Sequence, residues 1–268
     1  MPDLATFTHP HDGVALVTVD LSEIGGFVSW AGVGALADAL EAAREGGVRV
    51  SVVASAVEGH WLEHAWLPDL WNMAEGKPTT GDAADWQRAL HELAGTSVVT
   101  IAAVSGDCSG GGAELGWACD LRVAEEQARF AQPEVMLGLS TGIGGTSRLA
   151  RLIGRTATAE MVLDGAPMTA QRIYELGGVN RVVAPGTAVA EAVAWAARLA
   201  ERPPTALATA KQILIDNDNL LLADALANEQ KLFATTAMSR PGREGMRAAQ
   251  ARFDDGESIR DVYGPPRS

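Results

Sequence analysis

The sequence is poor in cysteine, in tyrosine and in basic side chains. Its 268 residues include two cysteines and two tyrosines, and 21 Lys and Arg residues stand against 34 Asp and Glu residues. The formal net charge of −13 disfavours nucleic acid and anionic membranes as partners, because binding to either needs cations that displace counterions. Two cysteines cannot supply a disulfide framework or a zinc cluster by themselves.

Long apolar runs are also missing. No stretch approaches the ~20 apolar residues of a membrane-spanning helix, and the opening MPDLATFTHPHDG lacks the basic start and apolar run of a signal peptide. We therefore expect a cytoplasmic protein that has neither a membrane nor a nucleic acid as a partner. Hydrophobic residues at 47% and charged residues at 21% are typical of a globular chain, which excludes general disorder.

The spacing of apolar residues changes along the chain. Helical spacing predicts helices over 33–45 and 83–94. Short apolar patterns predict strands over 13–19, 48–54, 98–104, 121–124, 128–131 and 180–184. A strand, a helix and a strand in that order favour a parallel pair with a crossover helix. Ala-rich helical sequence then fills 187–252, so we predict an α/β core over 1–198 and a helical region over 199–268.

One short pattern suggests a metal. His60-Trp-Leu-Glu-His64 matches the H-x-x-E-H pattern of zinc proteases, in which two histidines on one helical face bind zinc. That chemistry needs a third protein ligand, and no clear downstream ligand helix is visible. Matches of five residues also arise by chance. We expect no metal here, and keep a zinc hydrolase as a minor alternative to a loop with polar histidines.

Two glycine-rich segments each precede a predicted helix. Gly110 to Gly112 end the first, before a helix expected over 113–119. Backbone N–H groups at such a helix start can hold an anion or a developing oxyanion. The second segment, 142–145, lacks the lysine of a phosphate-binding P-loop and the spacing of a dinucleotide site. By itself it indicates only a tight turn.

Two glutamates lie close to these segments. Glu114 is just inside the helix after the three glycines, and Glu134 follows two short strands. We expect a hairpin-like return to bring them together. Two carboxylates beside an oxyanion donor suit acid–base chemistry on a carbonyl compound, and sharing one site should move their pKa values apart. The alternative is a pair of solvated surface glutamates.

Ordered motifs over about 90 residues link these features. The motifs are 101–106 (IAAVSG), 110–115 (GGGAEL), 119–124 (CDLRVA), 128–134 (ARFAQPE), 142–149 (GIGGTSRL) and 160–165 (EMVLDG). Together they resemble the crotonase (enoyl-CoA hydratase/isomerase) superfamily. The resemblance implies an α/β fold, namely a crotonase-like spiral of ββα turns with a C-terminal helical oligomerisation region. That region would build a homotrimer, commonly paired into a hexamer as a dimer of trimers.

The resemblance also implies a substrate and roles for single residues. The substrate would be an acyl-CoA or a related thioester, with coenzyme A as part of the substrate, no tightly bound cofactor, and a place in fatty acid metabolism. The oxyanion hole would use backbone N–H groups of Gly111 and of a residue near Glu63 or His64, which we assign to Glu63. In hydratases the glutamate matching Glu114 activates water and the one matching Glu134 protonates Cα. His64, Gly110 and Gly142 are the expected substrate contacts.

Both glutamates at the family spacing favour a hydratase, but two loops depart from the pattern. Residues 63–66 read Glu-His-Ala-Trp where the family usually has small–Gly–x–Asp, and residues 20–27 replace a loop near coenzyme A. A Glu63 carboxylate turned inward would oppose an oxyanion. The alternatives are an enoyl-CoA isomerase, a C–C bond hydrolase of a 1,3-dicarbonyl, or a catalytically idle assembly partner with this fold.

Overall fold

The computed structural model describes residues 3–264, and the chain divides into two compact units, Met1–Glu201 and Arg202–Ser268. The strands of the first unit are β1 (Ala5–His11), β2 (Val14–Val19), β3 (Val50–Ser55), β4 (Val99–Val104), β5 (Cys108–Ser109), β6 (Leu121–Glu125), β7 (Arg129–Ala131), β8 (Met168–Thr169) and β9 (Arg181–Val183). Its α-helices are α1 (Trp30–Glu45), α2 (Leu67–Ala74), α3 (Asp85–Ala94), α4 (Gly110–Ala118), α5 (Ser147–Asp164), α6 (Ala170–Glu175) and α7 (Ala188–Ala200).

The main sheet has six strands in the order β1-β2-β3-β4-β6-β9. Only β1 pairs antiparallel with its neighbour, and the other strands run parallel. All residues of β4 are buried, as expected for a parallel strand that is covered on both faces. Helix α1 contacts β2, and α7 contacts β3 and β4. The predicted parallel pair with its crossover helix is confirmed as β2, α1 and β3.

A second, three-stranded sheet has the order β5-β7-β8. Its first two strands are parallel, with Cys108 opposite Phe130 and Ser109 opposite Ala131. Strands β6 and β7 therefore belong to different sheets, and the expected hairpin-like return between them is wrong. The pairing of β5 with β7 instead places the residues that follow these two strands side by side.

Helix α4 begins earlier than the glycine content suggests. We expected a loop through Gly112, but the helix starts at Gly110, so the three glycines form its first turn. Glycine weakens a helix by about 1 kcal/mol relative to alanine, which is why the sequence predicts a loop. Close packing requires glycine at position 112, because a Cβ atom there would lie 2.1 Å from the carbonyl oxygen of Leu62. Gly110 also has a φ of +47°, which favours glycine.

The segment that carries the H-x-x-E-H pattern is not helical. Residues 60–66 are extended or bent, and α2 begins only at Leu67. His60 and His64 therefore do not share a helical turn, so the geometry on which the zinc-protease pattern depends is not present.

The second unit consists of helices, as the Ala-rich sequence predicts. They are α8 (Pro204–Asn217), α9 (Leu222–Ala237), α10 (Arg240–Asp254) and α11 (Ile259–Tyr263). Apolar side chains are exposed on this unit, among them Leu221 at 78% and Met238 at 74%. Across residues 3–264, no helix combines the length and the apolar character needed to cross a membrane.

Candidate active site

A cavity of about 400 Å³ lies at the start of α4. Trp30, Leu70, Trp86, Leu139 and Ile143 contribute to its mainly apolar wall. Five residues of the predicted chemistry, or next to it in sequence, also line it: His64, Ala65, Gly111, Glu114 and Glu134. An apolar pocket with a few converging polar groups is the usual form of a site for a small molecule.

Glu114 is held rigidly in the second turn of α4. Its side chain is buried, and Oε1 accepts hydrogen bonds from the backbone N–H groups of Gly142 (3.2 Å), Ile143 (2.9 Å) and Gly145 (2.7 Å). The second glycine-rich segment is therefore a cradle for a carboxylate of this chain. All three bonds end on Oε1, and a carboxylate has a second oxygen, Oε2, that can also accept.

Gly142 lines the cavity as well as contributing to this cradle. Its N–H donates to Glu114, so any contact with a substrate would come from its remaining atoms. Gly110 is not one of the described residues that line the cavity. Gly110 packs against His64 instead, since a Cβ atom there would lie 2.6 Å from the His64 Cβ.

Glu134 reaches the same cavity through the β5–β7 pairing. It begins a 3₁₀ turn, Glu134–Leu137, three residues after β7 ends. In the orientation that satisfies both neighbours, the buried Gln132 amide donates to Glu134 Oε1 at 2.9 Å and accepts from Trp117 Nε1 at 3.1 Å. Gln132 was not a sequence candidate, although its position next to Pro133 and Glu134 in a shared motif could have indicated it.

Glu134 has a raised pKa in this cavity. Burial raises the pKa of Glu134 from 4.5 to about 7, and the negative charge of Glu114 contributes to this rise. At neutral pH, Glu134 is therefore poised to give or take a proton. A general acid or base is most effective when its pKa lies near the working pH.

Gly111 and Ala65 both line the cavity. Gly111 lies in the first turn of α4, where N–H groups have no carbonyl partner within the helix. A Cβ atom on Gly111 would lie 3.4 Å from the backbone nitrogen of Ala65, so the two segments meet here. Ala65 forms a parallel bridge with Val28 in which the flanking His64 carbonyl and Trp66 N–H make the hydrogen bonds. The N–H of Ala65 itself is thus turned away from Val28.

The assignment of Glu63 to the oxyanion hole is wrong in this geometry. The backbone N–H of Glu63 donates to the Gly26 carbonyl at 3.0 Å, and that of His64 donates to Ser109 Oγ at 3.1 Å. Both N–H groups are therefore already bound to acceptors of this chain, which favours the N–H of Ala65 in place of either. Counting along a loop without regular structure could not distinguish positions one or two residues apart.

The side chains of this loop also have defined partners. The Glu63 carboxylate binds His60 Nδ1 at 2.8 Å and Ser109 Oγ, and it does not contribute to the cavity wall, so it is not turned into the cavity. His64 does line the cavity. Its Nδ1 donates to the Ala65 carbonyl at 2.8 Å, and its ring packs on Phe27 with centroids 4.5 Å apart. A carbonyl can only accept, so Nδ1 carries the hydrogen.

Comparisons with known proteins show which family the chain resembles. The family model for enoyl-CoA hydratase/isomerase matches residues 12–255. A probable enoyl-CoA hydratase, echA8, from Mycobacterium leprae is 34% identical over 207 residues, which are 77% of this chain and 80% of that protein. The 2,3-dehydroadipyl-CoA hydratase of Escherichia coli K12 is 40% identical over 148 residues, which are 55% of this chain and 58% of that protein.

Solved structures show the same similarity over nearly the whole fold. The crystal structure of an enoyl-CoA hydratase from Polaromonas sp. JS666 aligns with a TM-score of 0.84 and 27% sequence identity, over 94% of this chain and 97% of that one. The family match, together with two buried or half-buried glutamates beside a glycine-rich helix start, confirms the resemblance seen in the sequence. The chain belongs to the enoyl-CoA hydratase/isomerase family, within the crotonase superfamily.

Proposed function

We propose that this protein adds water to a 2-enoyl thioester and also catalyses the reverse reaction. One observation carries the proposal: Glu114 and Glu134 line one cavity together with Gly111 and Ala65. The proposed substrate is an acyl-CoA, since the curated relatives named above are CoA-thioester hydratases. Coenzyme A is then part of the substrate, and the proposed steps use only groups of this chain.

The oxyanion donors bind the substrate carbonyl. The thioester oxygen accepts hydrogen bonds from the N–H groups of Gly111 and Ala65, and these bonds strengthen as negative charge moves onto that oxygen. Because the donors are backbone groups held by a helix start and a strand-like bridge, they need no reorganisation during the reaction. One such donor contributes roughly 2.7–4 kcal/mol of transition-state stabilisation.

The two glutamates handle the protons. Glu114, oriented by its three backbone donors, accepts a proton from water as the water oxygen forms a bond to Cβ. Glu134 is partly protonated near neutral pH and delivers its proton to Cα, which carries the electron pair of the enolate. The proton gained by Glu114 balances the one lost by Glu134, and exchange with solvent resets the pair.

The test is the loss of the ultraviolet absorbance of a conjugated 2-enoyl-CoA. Glu114→Gln and Glu134→Gln should each lower kcat by at least ~10²-fold, the contribution of a positioned acid or base. The double variant should lose less than the product of the two effects, because the residues act as a unit. Glu126→Gln is the matched control, since Glu126 lies between them in sequence and is exposed.

The same assay separates hydration from isomerisation. An isomerase would convert a 3-enoyl-CoA into the conjugated 2-enoyl-CoA, so the absorbance would rise and no hydroxyl group would be added. Near-wild-type turnover in Glu114→Gln, with Glu134→Gln inactive, would indicate isomerisation by one glutamate. That result would contradict the proposal.

A further inference from the structure

We propose that Glu63 and Ser109 form a positioning pair that sets the spacing of the two oxyanion donors, an inference that rests on the proposed function. Glu63 occurs in the loop that carries Ala65, and Ser109 is the residue immediately before α4, which carries Gly111. The pair therefore joins the two segments of the chain that form the oxyanion hole.

The side-chain contacts run in one chain across this junction. The backbone N–H of His64 donates to Ser109 Oγ at 3.1 Å, and the Ser109 hydroxyl donates to Glu63 Oε2. Glu63 Oε1 binds His60 Nδ1 at 2.8 Å. A hydroxyl has one hydrogen to donate, so Ser109 can serve both neighbours only as acceptor from His64 and donor to Glu63.

Backbone hydrogen bonds hold the same two segments in register. The N–H of Ser109 donates to the Leu62 carbonyl at 3.3 Å, and the N–H of Gly112 donates to the Glu63 carbonyl at 3.1 Å. Gly111 thus lies between two tied positions. Ala65 directly follows His64, and the backbone N–H of His64 is the last donor in the series of hydrogen bonds through Ser109 and Glu63. A change in the Glu63–Ser109 contact is therefore transmitted to the separation of the two donors.

The pair acts through the backbone and not on the substrate. The Glu63 side chain is 12% exposed, and it is absent from the described residues that line the cavity. Hydrogen bonds to a carboxylate are roughly twice as strong as bonds between neutral groups, which suits a contact that must hold two loops in place. A displacement of about 1 Å at a reacting group can cost ~10²-fold in rate.

The test compares Glu63→Ala and Ser109→Ala with Glu63→Gln, in which the amide oxygen can still accept from the Ser109 hydroxyl. Both alanine variants should lower kcat by about 10- to 10²-fold and change KM by less than about threefold. Glu63→Gln should recover most of that loss. Glu58→Ala is the control, because Glu58 is an exposed glutamate of the same loop.

A spectroscopic measurement reports on the oxyanion hole without turnover. An amino-substituted cinnamoyl-CoA absorbs at longer wavelength when its carbonyl is polarised. The band shift on binding therefore measures how strongly the two donors polarise that carbonyl. The shift should shrink in Glu63→Ala and Ser109→Ala and persist in Glu63→Gln. This probe separates the two proposals: a wild-type protein that shifts the band but hydrates no enoyl thioester contradicts the proposed function alone.

Three results would overturn the positioning pair. The first is a Glu63→Ala variant with wild-type kcat and an unchanged band shift. The second is a multiplicative loss in the double alanine variant, since a single contact can be lost only once. The third is a Glu63→Gln variant as impaired as Glu63→Ala. If Glu63→Ala fails to fold by circular dichroism, Ser109→Ala and Glu63→Gln decide the question.

Discussion

Adding one methyl group to Gly111 tests the close packing of the oxyanion hole. A Cβ atom built there lies 2.9 Å from Trp86 Cη2 and 3.3 Å from Cζ3. The optimal separation of two non-bonded carbon atoms is about 3.5–4.0 Å, so the first contact is about 0.6–1.1 Å too short. Trp86 is only 8% exposed, which leaves its ring little room to move. Gly111→Ala must therefore displace either the ring or the donor.

We expect Gly111→Ala to lower kcat by about 10- to 10²-fold. An aligned donor contributes roughly 2.7–4 kcal/mol of transition-state stabilisation, and a displaced donor loses much of it. The assay is the hydration of a 2-enoyl-CoA followed by its absorbance. Trp86→Phe supplies the matched partner variant, since phenylalanine lacks the two ring atoms that the new methyl group meets. The double variant should then be more active than Gly111→Ala alone.

Two outcomes would refute this reasoning. In one, Gly111→Ala keeps kcat within about twofold of the wild type, which would mean that the site accommodates the methyl group without moving the donor. In the other, the double variant is no more active than Gly111→Ala, so that the Trp86 contact does not cause the loss. Melting temperatures of all three variants check that the fold is retained.

Three further predictions concern pH and assembly. Activity in the hydration direction should fall on the alkaline side with an apparent pKa near the value of about 7 for Glu134, because the general acid must carry its proton. The folded protein holds this proton more tightly than the unfolded chain, in which the pKa is 4.5, so Glu134 lowers stability as pH rises through that window. The melting temperature of Glu134→Gln, relative to wild type, should therefore increase from about pH 5 to pH 8. Sedimentation should show a trimer or hexamer at micromolar concentration, and a monomer would contradict the oligomerisation expected from the sequence.

Regular elements were predictable because their signal is local. The short apolar runs and helical spacing that define β2, α1 and β3 occur within single stretches of sequence, and the strand–helix–strand order favours the parallel pairing that is observed. The glutamate pair was predictable through the family motifs. Its structural cause, the pairing of β5 with β7, was not, because β5 has only two residues, too few to carry a periodic pattern. The strand expected over 128–131 matches β7, but its partner could not be seen in the sequence.

The glycine-rich segments show another limit of sequence reasoning. Residues 142–145 indicate only a tight turn, and the sequence does not show that their N–H groups bind an anion, since a carboxylate and a phosphate would use the same donors. Here the anion is Glu114. In the same way, the choice of Ala65 over Glu63 depends on which N–H groups are already bound to Gly26 and Ser109. Those contacts join residues more than 35 positions apart.

The most direct test of the central claim follows the oxygen and the hydrogen that water supplies to the product. The wild-type protein is incubated with a 2-enoyl-CoA in ¹⁸O-labelled and in deuterated water, and the product is analysed by mass spectrometry and NMR. We expect a 3-hydroxyacyl-CoA with solvent oxygen at Cβ and one solvent hydrogen at Cα, and both labels to enter at least ~10²-fold more slowly with Glu114→Gln and with Glu134→Gln. Solvent hydrogen incorporated without oxygen, or a product whose double bond has only moved, would contradict the claim.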